Sequence, residues 1–548
     1  MIVSRHAVIA LSFACSFIAK ETFAQSTAQE LESKVDQIFA AYDKPTSPGC
    51  ALGVVRDGEL IYKRGYGMAI LELGVPITPQ SIFYMASVSK HFTAASIVLA
   101  AEQGYLSLDD DVRKYIPELP FYGRTITLRH MLHHTSGLRE IGALLFLVGR
   151  NLDVDVHPTA ELLDLISRQK ALNYPPGDEF WYSNTNYLLL GMVIQRATGR
   201  SLSQFAEENI FKPLGMNHTR FYDDRHTVVP GRVPAYEPRT GGGFLLDWST
   251  NYDRVGAGGL MSSVEDMVQW DRNFYENKLG KGTLLEELQR PAVLNNGKLF
   301  QYGLGLWMTT YRGLPVVGHG GALFGYRTDL LRFPQQRFSV ICLCNLGTAD
   351  AEHLSQQVAD IYLDSQLRVQ HAAPSTAPID DAHNFVGLYR DPESHSVVDV
   401  SKVDGDLVAW GTYFRPEAGG RFVAEQEDAN IVFESQSGGM RMTNAVSGNP
   451  PHTFEKFQRI SLSTEELAEY VGDYKSSEFE AVHRLAVKDT NLMFAVNWLG
   501  PAALRPTIRG EFQGPFGSTM VFRRDTAGRI TGYDFFIDRI RNIYFSKQ

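Results

Sequence analysis

Two side chains in the first hundred residues have the types and spacing of a nucleophile and its activator. Ser87 and Lys90 lie three residues apart in the segment 83–90, FYMASVSK. At the start of a helix this spacing places both side chains on one face. A buried lysine with a lowered pKa can take the proton of a serine hydroxyl, or can help a neighbouring phenolate to take it. By itself the motif is more typical of a solvated helix face, so its interpretation depends on two further segments.

A second segment supplies a phenol and an amide. Tyr182 and Asn184 lie in the segment 180–184, FWYSN, which follows a Pro-Pro-Gly turn at 175–177 and precedes a helical run from Tyr187 to Ala197. We predict Tyr182 as the general base, provided that a nearby ammonium lowers its pKa toward neutrality. Asn184 is predicted to hold a substrate amide or carbonyl. Considered alone, the pair is more typical of a turn cap than of a site.

The third segment is a glycine-rich stretch behind a strand-like run that ends at Val317. Glycines let a substrate backbone approach a strand edge, and a backbone N–H at such an edge can complete an oxyanion hole. We predict that the N–H groups of Ser87 and Ala322 form this hole. Without the other two segments, the glycines would indicate only a hairpin turn. The predicted substrate-binding residues of this stretch are His319, Gly320, Gly321 and Ala322.

The elements that must position these residues form an α/β pattern over residues 25–368. A hairpin from Cys50 to Tyr66 turns at Asp57-Gly58, and helical stretches rich in Ala and Leu follow. One of them carries Lys90, an apolar stripe and a stop signal at Gly104. Strand-like runs return late, so we expect one sheet assembled from both ends of the region. These late runs are Pro315–Gly318, Arg327–Phe333 and Phe338–Asn345.

The remainder of the chain differs in composition and contains an internal repeat. Residues 369–382 are rich in Ala, Pro and Ser and are predicted to be a linker. Behind it, FVGLY at 385–389 matches YVGDY at 470–474 at an offset of 85, which also brings Leu407 onto Leu492. A later match, IVF with MVF, has an offset of 89. We predict two small antiparallel β domains, barrel-like, at 383–458 and 463–548.

The N-terminus resembles an export signal. Arg5 and His6 precede an apolar stretch from Ala7 to Ala19, and a small-residue site ends at Ala24. We predict that residues 1–24 are a secretory signal peptide, because the stretch is shorter than the roughly 20 residues of a membrane span. An uncleaved anchor and a lipid-modified Cys15 are the alternatives. The mature chain is expected to be soluble and periplasmic or secreted.

Composition excludes several classes of function. The chain has 548 residues with 52 basic and 62 acidic side chains, a net charge of −10, and no run of five like charges. This argues against a nucleic-acid partner or a stable membrane association, since both need a concentrated basic patch. No cofactor is expected, because glycine patterns for nucleotides and CxxC pairs for zinc are absent from the sequence. The HxxHH segment at 130–134 is predicted to have packing or capping roles.

Four cysteines are too few for a disulfide framework. Cys342 and Cys344 lie two apart in a strand-like run, which points both to one face. Buried free thiols are the expectation, with a bridge from Cys50 to one of them left open.

Taken together, the three segments resemble the signature of the serine β-lactamase and penicillin-binding protein superfamily: SxxK, then YxN, then KTG or a variant. The segments TLRHMLHHTSGL at 127–138 and GAGGL at 256–260 also look like stretches of this branch. The resemblance covers roughly residues 30–365. It implies an α/β sandwich with an antiparallel sheet, and an acyl-enzyme on Ser87. The tyrosine of the second segment is similar to the class C and esterase side of the superfamily.

Two neighbouring positions depart from the β-lactamase pattern. His319 stands where lysine is usual and Gly320 where a hydroxyl residue is usual, so binding of a substrate carboxylate is in doubt. HxG variants resemble D-aminopeptidases and esterases, and three-domain D-aminopeptidases also carry two C-terminal barrels. The resemblance further implies that a loop of a C-terminal domain reaches the active site. If its pKa is unperturbed, near 6.5, protonation of His319 should raise the affinity for anionic ligands. The alternative is that His319 only hydrogen-bonds Tyr182 or a backbone carbonyl and orients the strand.

The sequence therefore predicts a secreted serine hydrolase, most consistent with a peptidase of the D-aminopeptidase type. Its partner would be a small peptide or ester. An esterase, and a β-lactamase or penicillin-binding carboxypeptidase-like protein, are the alternatives, together with a non-enzymatic module whose barrels hold an apolar ligand. The oligomeric state is left open.

Overall fold

The computed structural model describes residues 29–151, 155–247, 255–368, 382–403, 405–417, 421–424, 429–436, 439–446, 451–497, 499–537 and 539–548. The predicted signal peptide and nearly all of the predicted linker lie outside these ranges, so both stay predictions. Within them the chain forms a mixed α/β region followed by two closed eight-stranded barrels. The predicted fold class is confirmed.

The α/β region is built around one antiparallel sheet of six strands, in the order β12-β13-β14-β15-β1-β2. Strands from the two ends of the region meet where β1 pairs with β15, as the sequence predicted. The strands of the region are β1 (Cys50–Arg56), β2 (Glu59–Tyr66), β3 (Met68–Ile70), β4 (Val75–Pro76), β5 (Phe83–Tyr84), β6 (Arg220–Phe221), β7 (Ala235–Pro238), β8 (Phe244–Asp247), β9 (Leu260–Ser262), β10 (Ala292–Val293), β11 (Leu299–Phe300), β12 (Trp307–Tyr311), β13 (Leu314–Leu323), β14 (Tyr326–Phe333) and β15 (Phe338–Cys344).

Helices cover both faces of this sheet. Because strand side chains alternate, Leu52 and Val54 of β1 pack toward the first and eleventh helices, whereas Ala51 and Val55 join the main helical core. The helices are α1 (29–39), α2 (Ser89–Glu102), α3 (Leu128–Leu132), α4 (Ile141–Leu147), α5 (Thr159–Ser167), α6 (Asn184–Thr198), α7 (Leu202–Ala206), α8 (Lys212–Leu214), α9 (Val264–Glu276), α10 (Leu284–Leu288), α11 (Ala351–Leu363), α12 (Ala382–Phe385) and α13 (Thr464–Ala468).

Helix α2 differs from the amphipathic helix that its apolar stripe indicated. Every residue from Ser89 to Ala100 is buried, so the helix lies inside the main core with neighbours on all sides. Its hydroxyl side chains form hydrogen bonds inside the core; Ser96, for example, donates to the carbonyl of Phe92. A helix buried on all sides holds Lys90 away from water, which the sequence pattern alone did not show.

The cysteines differ from the expectation of free thiols. Cys50 and Cys344 lie directly opposite each other on β1 and β15 and form a disulfide, and Cys342 is a buried free thiol. The predicted shared face of Cys342 and Cys344 is confirmed, since their sulfur atoms lie 3.7 Å apart. The pairing depends on the register between strands that are 294 residues apart in sequence.

The two barrels have the same strand order and equivalent core positions. Tyr389 and Tyr474 lie in the first strand of each barrel, and each donates its hydroxyl proton to a carbonyl four residues earlier. Leu407 and Leu492 lie in the third strands and are fully buried. The strands are β16 (Gly387–Arg390), β17 (Val397–Val403), β18 (Asp406–Ala409), β19 (Thr412–Pro416), β20 (Arg421–Ala424), β21 (Ala429–Gln436), β22 (Gly439–Val446) and β23 (His452–Phe457), then β24 (Gly472–Lys475), β25 (Val482–Lys488), β26 (Asn491–Val496), β27 (Leu499–Pro506), β28 (Glu511–Gln513), β29 (Thr519–Arg524), β30 (Ile530–Ile537) and β31 (Ile540–Lys547).

The second barrel is packed against the α/β region. Its core is continuous with the main helical core, and Phe146 of α4 contacts Phe516 and Phe535 of the barrel, with ring centroids 5.2 and 6.4 Å away. A buried ion pair between Arg139 and Glu478 joins the two units at 2.6 Å. In the described part of the chain, none of the helices combines the length and apolarity required to span a bilayer.

Candidate active site

Ser87 lies in a short 3₁₀ turn, Ala86–Val88, directly before helix α2. Ala86 has a φ of 46°, a left-handed conformation that is costly for a residue with a side chain. The turn is held by its contact with β13 of the central sheet: a Cβ at Gly321 would lie only 2.6 Å from the carbonyl oxygen of Met85. The glycine therefore permits the close approach that brings the strand edge beside Ser87.

Lys90 is completely buried and faces the Ser87 hydroxyl. Its Nζ lies 3.1 Å from Ser87 Oγ, 2.9 Å from Asn184 Oδ1 and 2.8 Å from the carbonyl oxygen of Ala257. Burial lowers the pKa of Lys90 to about 7, with a further decrease from the charge of Arg539 and an opposing increase from Glu140. At neutral pH a substantial fraction of Lys90 is therefore an uncharged amine that can accept the Ser87 proton.

Tyr182 lies in the same pocket but in a different protonation state from the one predicted. Its hydroxyl is buried and has no well-formed hydrogen bond among the described residues. Burial raises the pKa of Tyr182 above its usual value, although Ser87 and Arg539 each lower it. The ammonium of Lys90, with Nζ 4.7 Å from the ring centroid, does not offset this desolvation. The predicted lowering of the Tyr182 pKa toward neutrality is therefore not found in the structure.

Asn184 is the first residue of helix α6, three residues earlier than the predicted start of the helical run. Its amide is used within the protein: Oδ1 accepts from Lys90, and Nδ2 donates to Glu140 at 2.9 Å. The carboxylate of Glu140 also accepts from the backbone N–H of Asn184, at the helix N-terminus, where a negative charge is favoured. Asn184 thus positions Lys90. Glu140, which is 4% exposed, was missed because nothing in its local sequence marks it.

The third segment lies within strand β13 and not behind it, contrary to the prediction that the strand ends at Val317. Strand β12 pairs only with residues 314–318 of β13, and β14 pairs with residues 317–323. Among the described strands, the other edge of β13 from His319 to Leu323 is therefore open, as required for pairing with a substrate backbone. A cavity of about 1260 Å³ runs along this edge, and Ser87, Tyr182 and the whole segment His319–Ala322 line it.

His319 is neutral, and both of its ring nitrogens form hydrogen bonds within the protein. Its Nδ1 donates to the carbonyl of Gly320 at 2.5 Å, and its Nε2 accepts from the hydroxyl of Tyr302 at 3.2 Å. Burial, with the nearby charge of Lys90, lowers the pKa of His319 to about 3. The expectation of protonation near pH 6.5 is therefore wrong. The site has no cation at the position where the β-lactamase pattern has lysine.

The histidine-rich segment 130–134 forms part of the wall behind Tyr182. The His134 ring lies 4.4 Å from the Tyr182 ring, and its Nδ1 accepts from the backbone N–H of Ser183 at 3.2 Å. His130 accepts from Thr127 in the capping box of α3, and His133 donates to the carbonyl of Tyr302. The predicted packing and capping roles of these histidines are confirmed.

A hairpin of the second barrel also reaches the site. Arg539, in the turn between β30 and β31, donates to the carbonyl oxygen of Tyr182 at 3.2 Å. Its guanidinium carbon lies 5.6 Å from the centroid of the Tyr182 ring. The family resemblance implied such a loop but not which residues form it. No local pattern distinguishes Arg539 from other charged residues of a hairpin turn.

The arrangement of nucleophile, buried lysine, tyrosine and open strand edge agrees with a comparison against known protein families. The model of the family described as beta-lactamase matches residues 35–363. The chain belongs to the beta-lactamase family. The match contains all three sequence segments and ends with helix α11, so the predicted family is confirmed and the barrels follow the family domain.

Curated relatives of this beta-lactamase family chain include enzymes and a penicillin-binding protein. A D-aminopeptidase of Gluconobacter oxydans is 31% identical over 61% of this chain and 62% of its own length. A penicillin-binding protein of Bacillus subtilis is 32% identical over 53% of this chain and 66% of its own length. These two matches thus span less than two thirds of the relatives. A D-aminopeptidase of Brucella melitensis is 27% identical over 88% of this chain and 93% of its own length, which includes the barrels.

Proposed function

We propose that this protein is a serine hydrolase of the D-aminopeptidase type, which forms an acyl-enzyme on Ser87. The observation that carries the proposal is the contact of the buried Lys90 Nζ with Ser87 Oγ at 3.1 Å, beside an open strand edge. The relatives named D-aminopeptidase support the substrate class, and one of them matches over nearly its whole length.

The geometry supports the following sequence of steps. Ser87 Oγ attacks the substrate carbonyl carbon while its proton passes to Lys90. The backbone N–H groups of Ser87 and Ala322 then bind the oxyanion. Tyr182 donates its hydroxyl proton to the leaving amine and is reprotonated from Lys90, so that the C–N bond breaks and the acyl-enzyme remains. Water hydrolyses this ester by the reverse proton transfers.

The third segment favours an aminopeptidase over a carboxypeptidase or a β-lactamase. A terminal carboxylate needs a cation or hydroxyl donors, whereas this site presents a neutral His319 and a glycine at position 320. A neutral acyl group can pair with the open edge of β13 through its backbone N–H and C=O groups and needs no cation at position 319. Esters of the same acyl groups are expected to react too, because the steps above do not depend on a nitrogen leaving group.

A substrate panel tests the proposal. D- and L-aminoacyl p-nitroanilides, short acyl esters and a chromogenic cephalosporin are offered to the wild type and to Ser87→Ala. We expect turnover of D-aminoacyl substrates that Ser87→Ala abolishes with little change in melting temperature. Turnover of the cephalosporin alone would overturn the proposal in favour of a β-lactamase.

We further propose that the enzyme acts outside the cytoplasm. The proposal rests on the signal-like residues 1–24, and the Cys50–Cys344 disulfide is in keeping with an oxidising compartment. Expression of the full chain in a Gram-negative host, followed by N-terminal sequencing of the periplasmic fraction, should give a mature chain that begins at Gln25. A full-length chain retained in the cytoplasm would contradict this.

A further inference from the structure

The turn between β30 and β31 holds one guanidinium in a fixed place beside the proposed proton-transfer groups. Arg539 donates to the carbonyl oxygen of Tyr182 at 3.2 Å. The backbone that follows the side chain is held by Asn173, whose amide donates to the carbonyl of Arg539 at 2.8 Å and accepts from the N–H of Arg541 at 2.9 Å. These bonds cross from the second barrel to the α/β region, so the position of the guanidinium depends on docking of the barrel.

The docking contacts around this turn are strong. Arg139 pairs with Glu478 at 2.6 Å, with side chains that are only 1% and 9% exposed. Arg541 stacks over Trp181 at 4.1 Å from the ring centroid and pairs with Glu179 at 3.1 Å. A buried pair that is also hydrogen-bonded resists separation, because opening would leave an uncompensated charge. The barrel therefore holds Arg539 at the site in the resting protein.

Among the residues that the structure describes, two cations and one carboxylate lie near Tyr182 and Lys90. Lys90 Nζ and the Arg539 guanidinium carbon lie 4.7 and 5.6 Å from the centroid of the Tyr182 ring. The carboxylate of Glu140 is connected to Lys90 through Asn184. The other titratable groups that pack against Tyr182 are His134, His319 and Tyr302, and burial lowers the pKa of both histidines so that they are neutral. The charges of Arg539 and Glu140 thus act on the pKa of Lys90 in opposite directions.

Building on the proposed function, we propose that Arg539 is a positioning residue supplied by the second barrel. Its fixed charge, beside Lys90 and Tyr182, keeps Lys90 in the uncharged form that accepts the proton of Ser87 during acylation. A second cation near Lys90 disfavours its ammonium form, and a cation near Tyr182 favours transfer of its proton to the leaving group. Both effects increase the rate of acylation at neutral pH. The charge of Arg539 lowers the pKa of Lys90 and of Tyr182, in agreement with the geometry.

The test measures how fast a fluorophosphonate labels Ser87 between pH 5.5 and 9.5 in the full chain. In this reaction the Oγ–P bond forms, fluoride leaves and the hydroxyl proton passes to Lys90, so that the rate reports the proton-accepting form directly. The wild type should reach half of its maximal rate near pH 7, the pKa of Lys90. In Arg539→Gln the midpoint should move up by about one pH unit, the effect of one nearby charge in a partly buried site. Labelling at pH 6 then falls about tenfold, while the rate at pH 9.5 stays close to that of the wild type.

Three further variants separate charge from docking. Arg539→Lys keeps the charge and should keep the wild-type midpoint, whereas Arg539→Met should behave like Arg539→Gln. Arg541→Gln is the matched control, because it removes a guanidinium from the same hairpin that stacks on Trp181 and not on Tyr182. It should lower the melting temperature without moving the midpoint.

The outcomes distinguish this inference from the proposed function. A uniform loss of rate in Arg539→Gln with an unmoved midpoint, or an equal shift in Arg541→Gln, would show that Arg539 is only structural and would overturn the inference. A shifted midpoint in an enzyme that is labelled but does not turn over D-aminoacyl substrates would uphold the inference and overturn the substrate class. A wild type that the probe does not label at any pH would overturn both.

Discussion

Replacement of Lys90 by methionine should change the pH dependence of stability in a predictable direction. Burial lowers the pKa of Lys90 from 10.5 to about 7, so between these values the unfolded chain binds a proton that the folded chain does not. Stability then rises with pH, by about 1.4 kcal/mol per pH unit for one proton. Below pH 7 both states bind the proton and the folded state carries the full unfavourable contribution, about 4–5 kcal/mol. Lys90 is fully buried, so solvent screening does not reduce this figure.

The measurement is urea unfolding at pH 7 and pH 9 in the wild type and in Lys90→Met. The wild type should gain about 2–3 kcal/mol relative to the variant over this interval. Because the wild type and the variant are compared at the same pH, the contributions of the other titrating groups to the free energy of unfolding cancel. The absolute effect of the variant also includes hydrogen bonds lost at Asn184 and Ala257, so the prediction concerns only the change in this effect between pH 7 and pH 9.

Ser87→Ala is the control, because it removes the nucleophile and leaves the lysine in place, and it should follow the wild-type pH dependence. If the wild type and Lys90→Met gain or lose stability in parallel between pH 7 and pH 9, Lys90 is a protonated ammonium at neutral pH. Its role as the first proton acceptor would then be refuted.

Three other changes test separate parts of the site. Glu140→Gln removes the charge that raises the pKa of Lys90. The midpoint of fluorophosphonate labelling should therefore move to lower pH, opposite to the shift in Arg539→Gln. A shift to higher pH would contradict the effect of Glu140 on the pKa of Lys90. Gly321→Ala places a Cβ 2.6 Å from the Met85 carbonyl oxygen. It should lower the acylation rate at least about 100-fold, the usual effect of losing one oxyanion-hole donor. A wild-type rate would show that acylation of Ser87 does not depend on the close approach of the strand edge. His319→Lys should speed acylation by a penicillin roughly 2- to 30-fold, which corresponds to the free energy of a partly solvated ion pair. In the wild type, lowering the pH from 8 to 5.5 should give no rate increase from His319, because its pKa is about 3. If the lysine changes nothing, no carboxylate is bound at this position.

Much of the fold was predictable from local patterns. The hairpin β1–β2, the late strands and the repeat of the two barrels follow from alternation, turn residues and self-similarity, which are properties of short segments. The predictions from sequence were wrong where contacts between distant parts of the chain determine the structure. Strand β13 continues through its glycines because β14 pairs with it as far as Leu323, and helix α2 is buried on all sides because the core surrounds it.

The amino-acid sequence by itself determined which residues are available for chemistry and in what order: the serine and lysine of one turn, the tyrosine and asparagine of a second segment and the glycine-rich strand of a third. The tertiary structure decided their charge states and partners. Burial lowers the pKa of Lys90 to about 7 and keeps Tyr182 and His319 neutral at that pH. Glu140 and Arg539 enter the site from distant parts of the chain. A pKa depends on the solvent exposure and charges within a few ångströms in space, and sequence spacing does not specify these beyond one turn of helix or one strand pair.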